Sequence, residues 1–462
     1  MSEFRIEKDS MGEMKVPNSA YYGAQTQRAV ENFPVSSLRL TRSMIHAMAE
    51  IKRACAVVSG KHGWVEKTKS VAIVKAAEEV SKGNWDEQFV VDIFQTGSGT
   101  SSNMNTNEVI ANRACEILGE GKGSKAVHPN DHVNFGQSSN DVFPTAMHLA
   151  ILHDVDRSLM PVLVSFEELL SQKAKDFDSV VKIGRTHLQD ATPIRMGQVF
   201  SGYAMQIQWS IERIQYCIPH LEELALGGTA VGTGINRPER MTQEVISEIS
   251  SRMGFELRET RNHFASQATK DAVLDISNAL KTTAATLMKI ANDVRWLGSG
   301  PRCGIGELIL PETQPGSSIM PGKVNPVIAE SLTMICAQVM GNDLSVMIGG
   351  QSGNFELNVM MPMMVHNVLE SIALLSTGVK NFHQKCIKGI RVNEKRCEEM
   401  IEKSLAMVTS LAPIIGYDKA AAIAKQSHET GKTVREIVTE QQELSEKEIA
   451  KVLDPTSMTK PD

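Results

Sequence analysis

Several kinds of residue and pattern are scarce in this sequence of 462 residues, and each scarcity excludes a class of protein. Aromatic residues make up only 5% of the chain. The formal net charge is −6, so the chain offers no basic face that could bind a nucleic acid. The seven cysteines are scattered singly with no C-x-x-C spacing, which argues against an iron–sulfur cluster and is typical of free thiols in a reducing compartment. No uncharged apolar stretch reaches about 18 residues, so no transmembrane helix is predicted.

The N-terminal segment, residues 1–14, carries acidic residues and lacks both an apolar core and an Arg-rich amphipathic pattern. Neither secretion nor organelle import is therefore predicted, and we expect a cytoplasmic protein. With 42% hydrophobic and 22% charged residues, the composition is that of an ordinary globular chain with no nucleic-acid or membrane partner. A small anionic substrate is compatible with the acidic charge, because a local cluster of donors can bind a dicarboxylate.

Glycine and proline gather in a few clusters, and the long stretches between them predict helices. The clearest stretch, Phe255–Leu297, contains neither residue and is predicted to be helical. Its second half places apolar residues seven positions apart, at Val273, Leu280, Leu287 and Val294, which is typical of a helix in a bundle. We expect helices of roughly 30–40 residues, with many of the 24 methionines filling gaps between them.

The rest of the chain repeats this pattern, whereas short β-type alternation is scarce, so we predict an all-α fold. Similar helical periodicity covers much of four further stretches: 144–180, 198–226, 327–340 and 355–377. Long helices of this kind commonly bury their remaining apolar faces against another subunit, so an oligomer is expected. The predicted regions are an N-terminal mainly helical domain, a central long-helix bundle and a small C-terminal helical domain, at 1–138, 139–390 and 391–462.

Four polar segments interrupt the helices, at 96–108, 128–141, 184–193 and 316–326. Each is dense in small hydroxyl, amide and glycine residues, which bind anions through backbone N–H groups and neutral donors. Any one of these segments taken alone is also compatible with a helix cap or a turn. A carboxylate is a ligand that such groups can bind, and the residues by themselves leave both interpretations open.

The segment at 316–326 superficially resembles a phosphate-binding loop. However, Gly316 and Gly322 enclose five residues instead of four, and Val324 stands where a magnesium-binding hydroxyl is required. The Gly97–Gly99 segment likewise lacks the third glycine of a dinucleotide fingerprint and follows no strand pattern. Nucleotide binding is therefore not predicted.

These segments carry a family resemblance that covers nearly the whole chain. The segment at 316–326 resembles the signature of the fumarase/aspartase superfamily, and its sequence is GSSIMPGKVNP. Four other segments resemble further blocks of that superfamily in the same order: TGSGTSSNMNTNE, HPND with SSNDVFPTAMH, GRTHLQDATP and ALGGTAVGTGIN. Together with SGPRCGIGE at 299–307, the resemblance is closest to the class II fumarases.

The resemblance implies a fold, an activity and an assembly. The implied fold is an all-α protomer of three regions whose long central helices form a homotetramer, with each active site built from segments of three chains. The implied activity is the reversible hydration of fumarate to (S)-malate by acid–base catalysis, without a metal or other cofactor. Fumarate and malate are then the expected small-molecule partners.

The catalytic roles follow partly from chemistry and partly from the resemblance. Removing a proton next to a carboxylate requires positive charge and donors at one end of the substrate, which Lys323 and Asn325 can supply. The resemblance implies that Ser317 is the base, activated by the backbone amides of its loop and by Lys323. It also places His187 on the acid side, with Glu330 as the partner that raises its pKa and selects its tautomer.

The resemblance also implies two sets of binding residues. The substrate-binding set comprises Ser98, Gly99, Thr100, Ser138, Ser139, Asn140, Thr186, Ser318, Lys323, Val324 and Asn325. A second dicarboxylate site is implied at Lys125, His128, Pro129, Asn130 and Asp131. The alternative for this second set is a His-Pro turn in which the Asn and Asp cap a helix.

Two other functions are compatible with parts of the sequence. The first is an aspartate ammonia-lyase or a related C4-dicarboxylate lyase, which typically carries Gln where this chain has His187. A hydratase must protonate a departing hydroxide, so a group that titrates near neutrality favours hydration. The second is a non-catalytic helical scaffold, although the retention of all five catalytic residues argues against it. Arg195 departs from the uncharged residues of the fumarase pattern and is either a surface substitution or a change near the site entrance.

Overall fold

The computed structural model describes residues 3–461, and it is 62% helical and 8% strand. The prediction of an all-α fold is confirmed. The α-helices are α1 Ala24–Asn32, α2 Arg42–His62, α3 Lys67–Ser81, α4 Thr100–Ile117, α5 Ser139–Asp154, α6 Met160–Asp176, α7 Met196–Leu221, α8 Met241–Met253, α9 His263–Ala268, α10 Asp271–Leu297, α11 Val327–Gly350, α12 Met361–Lys385, α13 Glu394–Lys403, α14 Ala412–Ile415, α15 Tyr417–Thr430, α16 Val434–Gln441 and α17 Glu446–Val452.

The strands form only small two-stranded sheets, which pair β1 with β2, β3 with β4, β5 with β6, β7 with β10, and β8 with β9. Their bounds are β1 Phe4–Asp9, β2 Gly12–Pro17, β3 Val181–Thr186, β4 Gln189–Arg195, β5 Glu223–Leu224, β6 Arg258–Glu259, β7 Leu308–Ile309, β8 Gly353–Asn354, β9 Leu357–Asn358 and β10 Arg391–Val392. The β5–β6 pair is parallel and the other pairs are antiparallel. The two long hairpins, β1–β2 and β3–β4, were not predicted from the sequence.

The chain divides into two compact units, each assembled from separated segments. The first, called unit 1, comprises Met1–Pro161, Glu212–Thr282 and Ala337–Leu375. The second, called unit 2, comprises Val162–Ile211, Thr283–Cys336 and Ser376–Asp462. The predicted three-region division at 138 and 390 is continuous in sequence and stays a prediction.

In unit 1, α2 packs against α3, α5 and α8, while α4 packs against α3. Methionines occupy fully buried positions in this core, at Met44, Met48 and Met147. Their unbranched side chains fill irregular gaps between helices, as expected from the composition. In unit 2, the short helices after β10 surround a separate apolar cluster that includes Ile401, Ile423, Ile437 and Ile449.

The long stretch Phe255–Leu297 is not one helix, and the prediction was wrong in its first half. It contains β6 and the short helix α9 before α10 begins at Asp271. The buried Lys270 explains the break, because its Nζ donates to the carbonyl oxygens of Ser266, Gln267 and Thr269. A side chain that satisfies these carbonyl groups competes with continuation of the helix.

The longest uninterrupted α-helix among residues 3–461 is α10 with 27 residues. A helical run of the predicted length is nevertheless present, because α5, a single π-helical turn at Val155–Leu159 and α6 follow one another directly, with 16, 5 and 17 residues. A π turn of this kind is a local widening inside a continuous helix, and it covers part of the predicted stretch 144–180. Pro161, which has no N–H group to donate, follows shortly after this turn.

Candidate active site

Two helix N-termini of unit 1 carry hydroxyl groups that were predicted to bind the substrate. Thr100 is the first residue of α4, and Ser139 is the first residue of α5. The Oγ atom of Ser98 lies 2.7 Å from Thr100 Oγ1, which in turn lies 2.7 Å from Ser139 Oγ. Because free backbone N–H groups and the helix dipole favour negative charge at a helix N-terminus, this chain of hydroxyl groups lies where an anion is stabilised.

Gly99 makes the close approach of these two helices possible. Its φ angle of 73° lies in the left-handed region, which favours glycine. A Cβ atom at this position would lie 2.2 Å from the ring of Phe143 on α5. Gly99 is therefore required by the backbone geometry of the site, and it lends no side chain to a ligand.

Ser138 and Asn140 have structural partners within unit 1. Ser138 is the N-cap of α5, and its Oγ accepts a hydrogen bond of 3.2 Å from the backbone N–H of Asn140. The Asn140 side chain donates to the carbonyl oxygen of Ala230 at 2.8 Å. The interpretation of this segment as a helix cap is thus correct in part. The cap holds the neighbouring hydroxyl of Ser139 in place.

Asp141 is a residue of this site that the sequence reasoning did not single out. Its Oδ1 accepts from the N–H of Ser138, and its Oδ2 accepts from the N–H groups of Gly227 and Thr229, each at 2.9 Å. Burial raises the pKa of Asp141, while these three backbone donors act in the opposite direction. The S-x-x-D spacing of a capping box at 138–141 was the signal that could have identified it.

A buried polar network supports the chain just before Ser138. The Oδ1 atom of Asn134 accepts from Lys52 Nζ at 2.8 Å and from Asn103 and Asn107 at 3.2 Å each. Lys52 Nζ also donates to Gln137 Oε1 at 2.9 Å. Burial lowers the pKa of Lys52 to about 7, since no carboxylate is bonded to it.

The residues of the predicted second dicarboxylate site lie in unit 1, around the single helical turn Pro129–Val133. His128 is the N-cap of this turn, and its Nδ1 accepts from the backbone N–H groups of Asn130 and Asp131 at 3.3 and 3.1 Å. An Asp131 carboxylate oxygen also lies 3.2 Å from Nδ1, but an accepting Nδ1 carries no proton and forms no ion pair there. Lys125 Nζ donates to a carbonyl oxygen of β1. These contacts are those of a capped turn, and the second site stays a prediction.

In unit 2, Thr186 and His187 lie at the tip of the β3–β4 hairpin. Thr186 pairs with Gln189, so His187 and Leu188 form a two-residue turn. Both turn residues have positive φ angles, 55° and 62°. The whole tip is exposed in the protomer, so the His187 side chain projects from the surface of unit 2.

Arg195 lies at the other end of the same hairpin, where it pairs with Val181. Its guanidinium group forms an ion pair of 2.6 Å with the exposed carboxylate of Asp178. Six residues of β4 lie between Arg195 and the turn, so seven residue steps of about 3.3 Å place it roughly 23 Å away along the strand. This position supports the interpretation of Arg195 as a surface substitution.

The segment at 316–326 closes on itself in unit 2. The N–H of Gly316 donates to the carbonyl oxygen of Lys323 at 2.8 Å, and Asn325 Nδ2 donates to the carbonyl oxygen of Gly316 at 2.9 Å. Inside this loop, Ser317 Oγ accepts from the backbone N–H groups two and three residues further on, at 3.3 and 3.1 Å. Two such donors stabilise negative charge on the hydroxyl oxygen, as expected for an activated nucleophile or base.

The remaining predicted residues of unit 2 are arranged around this loop. Ser318, Lys323 and Val324 are exposed, and Glu330 lies half-buried in the first turn of α11. Among residues 3–461, no hydrogen bond or ion pair joins His187 to Ser317 or to Glu330. The protomer therefore assembles the loop and the hairpin separately.

A cavity and the arrangement of possible metal-binding side chains are further features of the two units. A cavity of about 360 Å³ in unit 1 contains none of them, and its walls include Arg39, Arg42 and Asp86. Within the described chain, no group of three or more His, Cys, Asp or Glu side chains is arranged to hold a metal ion. The expected absence of a metal stays a prediction.

Comparison with known proteins places the chain in a family. A family described as Lyase matches residues 12–341, and one described as Fumarase C C-terminus matches residues 407–460. A class II fumarate hydratase of Thermosynechococcus vestitus is 52% identical over 440 residues, covering 95% of this chain and 94% of that protein. The mitochondrial fumarate hydratase of Rattus norvegicus is 50% identical over 463 residues, covering 100% of this chain and 91% of that protein.

A solved structure agrees with these relatives. The crystal structure of the class II fumarase from Schistosoma mansoni superposes with a TM-score of 0.95 at 40% identity, covering 98% of this chain and 99% of that one. The all-α fold and the match over residues 12–341 define a lyase. Within that class, the chain belongs to the class II fumarate hydratase family, and it catalyses the reversible hydration of fumarate to malate, a reaction of the tricarboxylic acid cycle. The predicted resemblance and activity are confirmed.

Proposed function

We propose that Ser317 is the base of this hydratase and that Lys323 and Asn325 stabilise the charge that develops when it acts. In the dehydration of malate, the base removes a proton from the carbon next to one carboxylate, which becomes a dianionic aci-carboxylate. The observation that carries the proposal is the pair of backbone N–H groups donated to Ser317 Oγ. Such donors lower the proton affinity of the hydroxyl oxygen, since they favour its anionic form.

His187 completes the reaction on the neighbouring carbon. There the C–O bond breaks, and the departing hydroxide takes a proton from His187, directly or through a water molecule, so that water is released. Glu330 is the proposed partner of the imidazole, because a nearby carboxylate favours the protonated ring. Within residues 3–461 of one chain, no hydrogen bond or ion pair joins these two side chains, so the proposal takes Glu330 from another chain.

The substrate carboxylates bind to the neutral donors of the hydroxyl chain at Ser98, Thr100 and Ser139, together with Asn140 and Thr186. The N-termini of α4 and α5 add the electrostatic attraction that a dianion requires. Ser138 contributes by capping α5. None of these groups distinguishes malate from aspartate, so specificity for the hydroxyl group is assigned to His187.

The enzyme acts as a homotetramer whose active sites combine segments of three chains. Large apolar side chains support this proposal, because they are exposed on the longest helices, at Trp209, Tyr216, Trp296, Met334 and Leu344. The apolar helix α11 is long enough to span a membrane by length and composition alone, but only 39% of its most apolar window is buried. Packing against α11 of other subunits would remove this surface from water.

Mixed tetramers test the assignment of roles and the shared sites together. We expect the Ser317→Ala and His187→Asn proteins to be nearly inactive when refolded separately. When they are unfolded together and refolded, random assembly restores about a quarter of the sites, because each required group is present with a probability of about one half. Turnover is followed by the ultraviolet absorbance of fumarate, and native mass spectrometry confirms the mixed tetramers.

Recovery no greater than that of the separately refolded variants, with mixed tetramers present, would show that both groups serve a site from one chain.

Chelation tests the metal-free chemistry: activity should survive EDTA, and a loss restored by a divalent metal contradicts it. Assays with aspartate in place of malate test the ammonia-lyase alternative.

The cytoplasmic location stays a proposal, supported by seven free cysteines.

A further inference from the structure

The turn that carries His187 is conformationally unusual. Two-residue hairpin turns with two positive φ angles belong to type I′, and they favour Asn-Gly or similar sequences. Here both positions carry larger side chains, His187 at 55° and Leu188 at 62°. Leu is disfavoured in this region, and such strain persists only where the surrounding structure enforces it.

The tip itself provides no such enforcement. Residues 186–190 are exposed in the protomer, and the Leu188 side chain is 72% exposed. The conformation of the turn must therefore be set by the strand residues that precede and follow it. Arg185 is the nearest residue before the tip with a strongly anchored side chain.

The Arg185 guanidinium forms a two-pronged contact with the carboxylate of Glu307. Its Nη1 donates to Oε2 at 3.1 Å and its Nη2 donates to Oε1 at 2.9 Å. Glu307 is completely buried, and Lys182 Nζ lies 3.2 Å from Oε2. A bidentate pair constrains the direction of both planar groups, and it therefore fixes orientation as well as distance.

Glu307 is itself anchored in unit 2 by its backbone. Its carbonyl oxygen accepts from the N–H of Asn393 at 2.9 Å, and the next residues form the β7–β10 pair. Arg396 donates to the carbonyl oxygens of Ile305 and Gly304 at 3.0 and 3.1 Å. The carboxylate is thus a fixed point against which the hairpin is held.

We propose that Glu307, through its bidentate contact with Arg185, is a positioning residue that holds the strained turn so that His187 faces the substrate. The proposal rests on the role of His187 stated above. The carboxylate touches neither the turn nor the predicted binding residues, so any effect on turnover must pass through the hairpin. Buried charges of this kind are costly when a partner is lost, which makes a purely structural role the competing explanation.

A double-mutant cycle separates the two explanations. Glu307→Gln and Arg185→Lys are each prepared in the wild-type chain and in the His187→Asn chain, and kcat, KM and Tm are measured for malate dehydration. Because misplacing a catalytic group by about 1 Å costs up to about 100-fold, we expect kcat to fall at least about tenfold in the wild-type chain, with KM changed less than about threefold. In the His187→Asn chain the same changes should lower the residual kcat by less than about twofold.

Two further variants complete the experiment. Asp178→Asn removes the ion pair at the opposite end of the same hairpin, and we expect kcat to be unchanged. Leu188→Gly places the residue that a type I′ turn favours at the position with a φ angle of 62°, so it relieves the strain without altering the buried charges. We expect it to keep wild-type kcat and Tm on its own and to restore part of the kcat lost in Arg185→Lys, because a relaxed turn depends less on its anchor.

Equal losses of kcat in both backgrounds would overturn the positioning role, as would unchanged kcat in a folded Glu307→Gln protein or no recovery of kcat when Leu188→Gly is added to Arg185→Lys. A His187→Asn protein with wild-type turnover is a different failure, because it removes the proposed role of His187 and the positioning role falls with it. The imidazole itself gives one more readout. The pH profile of kcat should shift in Arg185→Lys and stay unchanged in Asp178→Asn.

Discussion

The predicted site residues of the two units differ in their burial and in their hydrogen bonding. In unit 1, Ser98, Thr100 and Ser139 are buried or half-buried, and they are bonded to one another at the ends of two helices. In unit 2, the His187 turn is exposed, and the loop that contains Ser317 is bonded mainly within itself. The groups proposed to bind carboxylates are thus organised inside the protomer, whereas the groups proposed for proton transfer are presented at its surface.

This difference has a physical basis. Neutral donors must point in fixed directions before an anion arrives, and helix caps provide such directions at little cost. A proton-transfer group must reach the reacting carbon, and the loops that carry it are commonly the segments that move or meet another chain. Substitutions in each unit can show whether the division between binding and proton transfer holds.

The largest effect is expected for Ser317→Ala. Removal of the base should lower kcat by about 10²–10⁴-fold, while Tm and the affinity for a non-reacting dicarboxylate change little. The fold is spared because the hydrogen bonds of Ser317 Oγ lie inside its own loop. Steady-state kinetics, isothermal titration and thermal unfolding provide the three readouts. Near wild-type turnover would show that another group is the base.

Acid should weaken unit 1 through His148. Burial lowers the pKa of this imidazole from its ordinary value of 6.5 to about 4, and the positive charge of Lys270 makes a smaller contribution in the same direction. The folded state then binds fewer protons than the unfolded state, so the stability is full above pH 6.5 and is lost as the pH falls toward 4. The loss amounts to about 3 kcal/mol.

Chemical unfolding between pH 4 and pH 7 measures this loss, and a His148→Gln variant should show a flatter dependence. His148 Nδ1 lies 3.0 Å from the carbonyl oxygens of Leu221 and Glu223. These residues lead into the 225–236 segment that Asp141 binds, so acid should weaken dicarboxylate binding before it abolishes proton transfer. An identical pH dependence in the wild type and the variant would contradict this assignment.

Asp141→Asn should raise KM for malate by about tenfold, with a smaller change in kcat. An amide in place of the carboxylate directs an NH₂ group at backbone N–H donors, which costs about 1–3 kcal/mol and loosens the start of α5. Asp154→Asn, at the far end of the same helix, is the matched control and should leave KM unchanged. A fall in kcat with no change in KM would indicate that Asp141 supports proton transfer and not binding.

The smallest effect is expected for Arg195→Gln. Its ion pair with Asp178 lies at the surface and contributes about 1 kcal/mol or less to stability. Because the residue lies at the open end of the hairpin, the ratio of activities on malate and aspartate should not change. A shift in that ratio would place Arg195 near the entrance of the site.

The sequence by itself determined the helical class, the heptad of α10 and the exclusion of a phosphate loop at 316–326. These features are local, since periodicity and glycine spacing act within a few residues of one another. The family resemblance added the activity, which no local pattern specifies.

Only the tertiary structure decided the contacts that cross the chain. Asp141 binds backbone N–H groups 86 and 88 residues away, and Arg185 binds Glu307 across 122 residues. The break before α10 also depends on burial of the Lys270 side chain, because an exposed lysine would continue the helix. Such contacts depend on which surfaces meet when the chain folds, and the order of residues alone does not state this.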